Sequence, residues 1–149
     1  MITIKVECKN IKEIEAAFKK SPVEITKRLN VAVGKIVTKM ESTTKREAPV
    51  NKQSGGGNLR QSIRSRMSGP ARGVIEVGAL YAEFVHEGTR PHIIRVSRKK
   101  VLANRRQGKI FGKVVKHPGT KKNPFLDRAV ERERSFINSE FEKVTDNLI

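Results

Sequence analysis

Residues 21–47 read SPVEITKRLNVAVGKIVTKMESTTKRE, and apolar side chains recur in this stretch at the spacing of one helix face. The apolar residues on that face are Ile25, Leu29, Val33, Ile36 and Met40. Ser21 can cap the helix, Pro22 suits its first turn, and Glu24 can reach back to the cap amide. The stretch therefore predicts a long amphipathic helix that ends near Glu47, before the next proline.

A second long helix is predicted near the other end of the sequence. Asn123 and Pro124 repeat the pattern of a capping residue followed by proline. The apolar residues that then recur at helical spacing are Leu126, Val130, Ile137, Phe141, Val144 and Leu148. A shorter capped helix is predicted after Asn10, because Glu13 stands three residues further on.

Alternating or turn-bounded apolar stretches predict β-strands. The predicted strands cover residues 2–7, 62–68, 73–78, 92–103 and 109–116. A short helix over residues 79–87 precedes the fourth strand, with Gly88 as its left-handed cap. Strands and helices that do not alternate strictly predict the α+β class. We expect an antiparallel sheet of four to five strands packed against two long helices, with a projecting basic β-hairpin at about residues 92–116.

Length and composition narrow the class of protein. The 149 residues suit one domain, so we expect residues 1–149 to form a single domain. No apolar run approaches the ~20 residues that cross a bilayer, and the N-terminal residues lack the apolar core of a signal peptide. Cys8 is the one cysteine, which excludes an internal disulfide framework. We therefore expect a soluble protein without membrane association.

The net charge of +17 is concentrated in one internal stretch. Residues 88–122 contain twelve Lys and Arg residues and neither Asp nor Glu, whereas residues 123–149 contain four basic and six acidic residues. A chain with this charge repels itself as an isolated monomer. We therefore expect a polyanionic or acidic partner. Because apolar residues are interleaved with the charges, we expect an ordered hairpin in this stretch and not a disordered tail.

The sequence offers no constellation for catalysis or metal binding. The three histidines lack the spacing of a zinc site, and no nucleophile elbow accompanies the two aspartates. Paired carboxylates such as Glu131 and Glu133 have the spacing of solvated helix residues. The three glycines at residues 55–57 lack the lysine and the preceding strand of a phosphate-binding loop. We expect no enzymatic activity, no metal and no cofactor.

Charge alone favours nucleic-acid binding without sequence preference. Lys and Arg neutralise phosphates whatever the base sequence, and such binding weakens steeply with salt. The sequence has no helix-turn-helix, zinc-finger or RNP pattern. Phe111 is the one aromatic residue of the basic hairpin, so base stacking is poorly supplied.

Five short motifs in order resemble a family of tailed-bacteriophage proteins. The motifs are APV at residues 48–50, GNLRQSI at 57–63, YAEFVHEGTRPH at 81–92, HPGT at 117–120 and NPFL at 123–126. The family comprises the neck or tail-completion proteins of long-tailed phages and related prophages. The resemblance spans about residues 20–135. The glycine stretch before the second motif is longer than in the family, and the hairpin is richer in Arg and Lys.

This resemblance implies a structural virion protein without catalysis. The expected role is assembly into a ring, with six subunits as the expectation, that completes the tail and joins it to the head connector around the DNA path. The expected partners are further copies of the chain, connector or head-closure proteins, tail terminator and tail-tube proteins, and genomic DNA through non-specific contacts. The expected location is the head–tail junction of the virion, after assembly in the host cytoplasm.

Two groups of residues are candidates for the contacts of such a ring. The basic residues expected to face DNA or a protein partner are Arg95, Arg98, Lys99, Lys100, Arg105, Arg106, Lys109, Lys113 and Lys116. The residues expected at the interface between subunits are Tyr81, Glu87, Thr89, Arg90 and His92. For Phe84 and Val85, which belong to the same motif, packing within the fold is the favoured role.

Two other functions stay open at this point. A tail terminator that caps the tail tube would have a similar fold. A sequence-independent nucleic-acid-binding module, such as a small chromatin or ribosomal protein, would share the charge and bind as a monomer or dimer in a salt-sensitive manner.

Overall fold

The structure, a computed structural model, describes residues 2–7, 22–51, 56–97, 101–104 and 108–146. Within these residues the fold belongs to the α+β class, with helices and small antiparallel sheets. The helices are α1 (Pro22–Glu47), α2 (Asn58–Gln61), α3 (Ala82–Glu87) and α4 (Phe125–Asp146). The strands are β1 (Ile2–Glu7), β2 (Ile63–Gly69), β3 (Arg72–Val77), β4 (His92–Arg95), β5 (Leu102–Asn104), β6 (Lys109–Gly112) and β7 (Val114–His117).

Several elements confirm the sequence-based positions. β1 covers the alternating residues 2–7, α1 ends at Glu47, and β2 and β3 begin within one residue of the expected positions. α3 begins at Ala82, later than expected, because the residues before it form a turn in which Ala82 N donates to Ala79 O at 2.9 Å. Cys8, the helix expected after Asn10 and the Ser21 cap lie outside the described residues.

Within the single domain expected for residues 1–149, the chain divides into two compact units. The first unit comprises Met1–Ala82 and Pro124–Ile149, and the second unit comprises Glu83–Asn123. The first unit therefore contains both long helices and the strands β1 to β3. The second unit contains the four short strands of the basic hairpin and most of α3.

The first unit is built around α1 and an antiparallel sheet of strand order β1-β3-β2. α1 packs against β2 and β3, and its five predicted core residues are each at most 2% exposed. A side chain at Gly73 of β3 would overlap Val37 of α1, so glycine allows the sheet to approach the helix closely. The predicted amphipathic face of α1 is therefore confirmed as the centre of this core.

α4 packs along α1 within the first unit, but its buried face differs from the predicted apolar stripe. Val130 is 37% exposed, whereas Glu133 and Glu140 are only 6% and 5% exposed. Glu133 was expected to be solvated, and that expectation is wrong. Its carboxylate accepts a hydrogen bond from the hydroxyl of Thr43 on α1 at 2.5 Å, so a hydrogen-bonded polar side chain occupies a position that pattern alone would give to an apolar one.

The prediction of four to five strands in one sheet is matched only in part. The largest described sheet has three strands, and the described hairpin strands form two separate pairs, β4 with β7 and β5 with β6. The two long strands expected at residues 92–103 and 109–116 are thus each divided in two. Gly112, with a φ of +88°, marks the division on the returning side, because a left-handed residue turns the strand away from an extended path.

Candidate interaction surface

Two motifs that are distant in sequence meet inside the second unit. Thr89 N donates to Thr120 O at 3.0 Å, and Thr120 N donates to Thr89 O at 3.1 Å. Their hydroxyl oxygens lie 3.0 Å apart. We call this pairing the Thr89–Thr120 clasp. It joins the two ends of the hairpin, and it explains why a Gly-Thr pair occurs in both motifs.

Glycine is required beside each threonine of the clasp. Gly88 and Gly119 have φ values of +74° and +87°, in the left-handed region that side chains disfavour. A Cβ atom at Gly88 would overlap the carbonyl oxygen of Thr120, and one at Gly119 would overlap that of Thr89. The two backbones therefore approach each other more closely than any other residue type allows.

Glu87 is held by partners within the second unit. The Glu87 carboxylate accepts from Lys122 Nζ at 3.0 Å and lies 2.6 Å from His86 Nδ1. These two hydrogen bonds lower the pKa of Glu87 below its usual value, and the bond from Lys122 contributes more than the bond from His86. Asn123 N donates to Val85 O at 3.1 Å close by. The end of α3 and the chain after the hairpin are thus tied together.

His92 and His117 stack on each other across the first pair of hairpin strands. Their ring centroids lie 4.9 Å apart with an interplanar angle of 29°. His92 Nδ1 lies 2.9 Å from the carbonyl oxygen of Arg90, so it donates. His117 Nδ1 accepts from Gly119 N at 3.1 Å, so it carries no proton. The two Nδ1 atoms therefore play opposite roles, one as donor and one as acceptor, and both rings support the turns that lead into the clasp.

The β4–β7 pair presents an exposed face on which apolar and basic residues alternate. Its antiparallel register sets Ile93 opposite Lys116 and Arg95 opposite Val114, and side chains of directly opposed residues share one face. Ile93 is 53% exposed and Val114 is 47% exposed, and Arg95 and Lys116 are also exposed. We call these four residues the checkerboard face, because each cation has an aliphatic residue both across from it and along its own strand.

The other face of the same pair is less accessible. Ile94, Val115 and His117 on that face are half-buried, although His92 is exposed. The pairing is extended by one more hydrogen bond, from Val96 N to Lys113 O at 3.1 Å. The two faces therefore differ in exposure, and the checkerboard face is the accessible one.

Four of the nine basic residues predicted to face DNA or a partner lie in the described part of the chain. Arg95 and Lys116 lie on the checkerboard face, Lys109 lies on β6, and Lys113 separates β6 from β7; all four are exposed. The other five lie outside the described residues, and they are Arg98, Lys99, Lys100, Arg105 and Arg106.

The predicted interface residues are placed in different surroundings. Tyr81 lies in the turn before α3 and is 45% exposed. Arg90 is exposed, and its backbone carbonyl accepts the hydrogen bond from His92. Thr89, Glu87 and His92 already have the partners in the second unit described above. Their role between subunits stays a prediction, and a structural role within the chain now stands beside it.

Sequence reasoning missed the exposed aliphatic residues Ile93 and Val114. The hairpin segments HIIR and VVKH alternate only weakly, so the sequence does not indicate which apolar residues share a face with the cations. The register between β4 and β7 decides this. The position of Phe84, for which packing was favoured, also differs, because it is 59% exposed.

Other possible sites are less developed. A surface groove of about 560 Å³ runs between the first half of α1 and the end of α4, from Glu24 to Lys35 and from Glu140 to Val144. Among the described residues no group of three or more His, Cys, Asp or Glu could hold a metal ion. Within the same residues no helix is long and apolar enough to cross a membrane.

Comparisons with protein-family models, with curated proteins and with solved structures found no match to the chain. Its function is therefore inferred from its own residues and their geometry.

Proposed function

We propose that the chain is a structural protein of the phage head–tail junction that assembles into an oligomeric ring, with six copies as the expected number. The observation that carries the proposal is the Thr89–Thr120 clasp. It unites two of the five motifs that resemble neck and tail-completion proteins, and it closes off a basic hairpin. In the proposed role the first unit forms the body of the subunit, and the basic hairpin of the second unit contacts a partner.

The exposure of the hairpin supports an assembly role. Ile93, Ile110, Phe111 and Val114 are between 47% and 74% exposed. Ile93 and Val114 share one face of the β4–β7 pair, and a patch of exposed apolar side chains marks an interaction site in soluble proteins. A subunit that completes the tail and contacts the head connector needs such surface, whereas an isolated monomer gains nothing from it.

The proposed role needs no catalytic step. Rings of this kind act by stacking on neighbouring rings and through their electrostatic potential, and the basic hairpin can tolerate DNA that passes nearby. A ring requires each copy to present complementary surfaces to its neighbour. We propose that the exposed residues Tyr81 and Arg90 take part in this contact between subunits. The ring is proposed to assemble in the host cytoplasm and to remain in the virion.

The test is the mass of the native particle in solution at moderate salt, with and without DNA. We expect a closed oligomer that forms without nucleic acid. A protein that stays monomeric alone and assembles only on DNA would contradict the ring. That result would favour the second candidate, a sequence-independent nucleic-acid-binding module. The observation in favour of this candidate is the twelve Lys and Arg side chains between positions 88 and 122.

The tail terminator is a further role within the same proposal. Addition of purified ring to polymerising tail tubes separates the two, because a terminator stops tube growth and a neck protein does not.

A further inference from the structure

The second unit lacks an apolar core of its own among its described residues. Among the residues that the structure describes between Glu83 and Asn123, His86, at 7% exposed, is the one buried residue, and none of the apolar side chains is buried. Two-stranded ribbons are marginally stable in water when nothing covers them. The apolar residues of the hairpin therefore gain most when another molecule buries them.

The checkerboard face is the part of the hairpin best suited to be buried. Ile93 and Val114 expose about half of their surface, and neither Arg95 nor Lys116 makes an ion pair within the described residues. Residues two apart on a strand lie about 7 Å apart, and neighbouring strands lie about 5 Å apart. The face thus offers two cations and two aliphatic side chains within one small patch.

A second copy of the chain is poorly suited to cover this face. Nine of its glutamates already pair with Lys or Arg of the same chain: Glu7, Glu24, Glu41, Glu47, Glu76, Glu87, Glu131, Glu133 and Glu140. Each copy also carries a net charge of +17. With most glutamates already paired, a second copy has few carboxylates left for this face, and docking it there is unfavourable. Copies can contact one another through other surfaces, so the partner of this face is a different and acidic molecule.

DNA satisfies only half of the face. Phosphates would pair with Arg95 and Lys116, but they would leave Ile93 and Val114 against a charged backbone. The face has no aromatic side chain for base stacking, which is the usual way in which apolar groups contribute to binding single strands. A protein surface can bury the aliphatic residues and neutralise the cations at once, as the arginine-rich apolar centres of protein interfaces do.

We propose that the checkerboard face docks on an acidic protein surface on which carboxylates alternate with aliphatic side chains, and that this protein is not a second copy of the chain. The inference deepens the proposed function. It rests on that function only for the role of the partner, which would be a protein to which the ring is joined. The chemistry of recognition rests on the four residues and their register. DNA contact is left to basic residues off this face.

The test uses a disulfide-closed hairpin peptide as the probe. One face of the peptide carries Glu and Val in the complementary alternation. Two control peptides replace either its Val residues by Ser or its Glu residues by Gln, and a short mixed-sequence DNA duplex serves as the second ligand. Binding to the full-length protein is measured by fluorescence anisotropy at about 150 mM salt, where exposed charges more than about 8 Å apart are largely screened.

Three double variants separate the contributions. Ile93→Thr with Val114→Thr keeps β-branched residues but removes aliphatic surface, and Arg95→Gln with Lys116→Gln removes the charges. Lys109→Gln with Lys113→Gln is the matched control, because it removes the same charge from exposed positions outside the checkerboard face. Circular dichroism of each variant verifies that the fold is retained.

We expect the first variant to weaken peptide binding about tenfold and to change DNA binding less than about twofold. The second variant should weaken peptide binding and change DNA binding less than the control does, because DNA contact is assigned to residues off this face. The control should weaken DNA binding alone. The proposal is overturned if the parent protein does not bind the Glu/Val peptide. It is also overturned if the Glu/Ser peptide binds equally well, or if the aliphatic variant affects DNA more than peptide.

The same preparations keep this inference separate from the proposed function. Their native mass reports ring formation independently of peptide binding. A ring that does not bind the peptide overturns the docking inference alone, whereas peptide binding by a protein that never forms a ring counts against the ring alone.

Discussion

Single residues decide the geometry of the clasp. Gly88 and Gly119 combine a positive φ with a backbone neighbour where a side chain would be. Gly108 and Gly112 also have positive φ values, but a Cβ atom at either position would meet nothing within 4 Å. Conformation alone therefore requires glycine in the hairpin, whereas conformation and close contact together require it in the clasp.

The comparison between Gly119→Ala and Gly112→Ala tests this difference. Alanine in a left-handed conformation costs roughly 1–2 kcal/mol, and at Gly119 the overlap with Thr89 adds to that cost. We expect Gly119→Ala to abolish hydrogen-exchange protection of the Thr89 and Thr120 amides. Gly112→Ala should retain it, and equal loss in both variants would contradict the requirement for close contact.

At the scale of elements, α1 and α4 are joined by hydrogen-bonded carboxylates as well as by apolar packing. The Thr43 hydroxyl donates to Glu133 and accepts from Arg46 Nη2 at 2.8 Å. The buried Glu140 carboxylate pairs with Lys35 of α1 at 3.3 Å and with Lys143 of its own helix at 2.6 Å. Polar pairs of this kind specify how two helices align, because a shift would leave a buried carboxylate without a donor.

A double-mutant cycle on Thr43 and Glu133 measures the strength of this contact. Thr43→Val leaves a buried carboxylate without its hydroxyl donor, and should lower the free energy of unfolding by about 1–3 kcal/mol. Thr43→Val combined with Glu133→Leu removes both polar partners, and should cost less than the two single changes added together. Urea denaturation followed by circular dichroism gives the three values, and strict additivity would show that the pair is not coupled.

At the scale of the whole molecule, carboxylates in different elements bias stability toward neutral pH. The pKa values of Glu41, Glu87 and Glu140 lie below the usual 4.5. For Glu41, burial acts to raise the pKa, but hydrogen bonds from Lys45 and Ser65 outweigh it. For Glu140, the hydrogen bond from Lys143 is the largest contribution, and Lys35 adds to it.

Stability should therefore fall in acid. Because each of these carboxylates has a lower pKa in the folded state, the unfolded state binds protons first as the pH falls. The contribution of each carboxylate to stability is complete above its pKa in the unfolded state, and it is lost as the pH falls through its pKa in the folded state. We expect the free energy of unfolding to decrease as the pH is lowered from about 4.5. The Glu41→Gln variant should be less stable than the parent protein at neutral pH, and acid should lower its free energy of unfolding by less. If the free energies of unfolding of the two proteins follow parallel pH profiles, the assignment to Glu41 is wrong.

The hairpin shows how far local pattern reaches. Turn residues and alternating apolar residues in the sequence indicate its two sides and the turns at its two ends, and the run of Lys and Arg gives its basic charge. The same pattern could not divide the strands at Gly112, because a left-handed glycine and an ordinary strand glycine look identical in sequence. It could not bring Thr89 to Thr120 either, since that pairing depends on how the chain returns.

The amino-acid sequence by itself determined the amphipathic face of α1, the α+β class and the position of the charge, because each depends on neighbours along the chain. Tertiary structure alone decided that Glu133 is buried and Val130 is exposed, because a helix pattern does not say which partner group faces each position. It also decided that Ile93 and Val114 share an exposed face with Arg95 and Lys116. Strand register sets that face, and register is a property of two strands together.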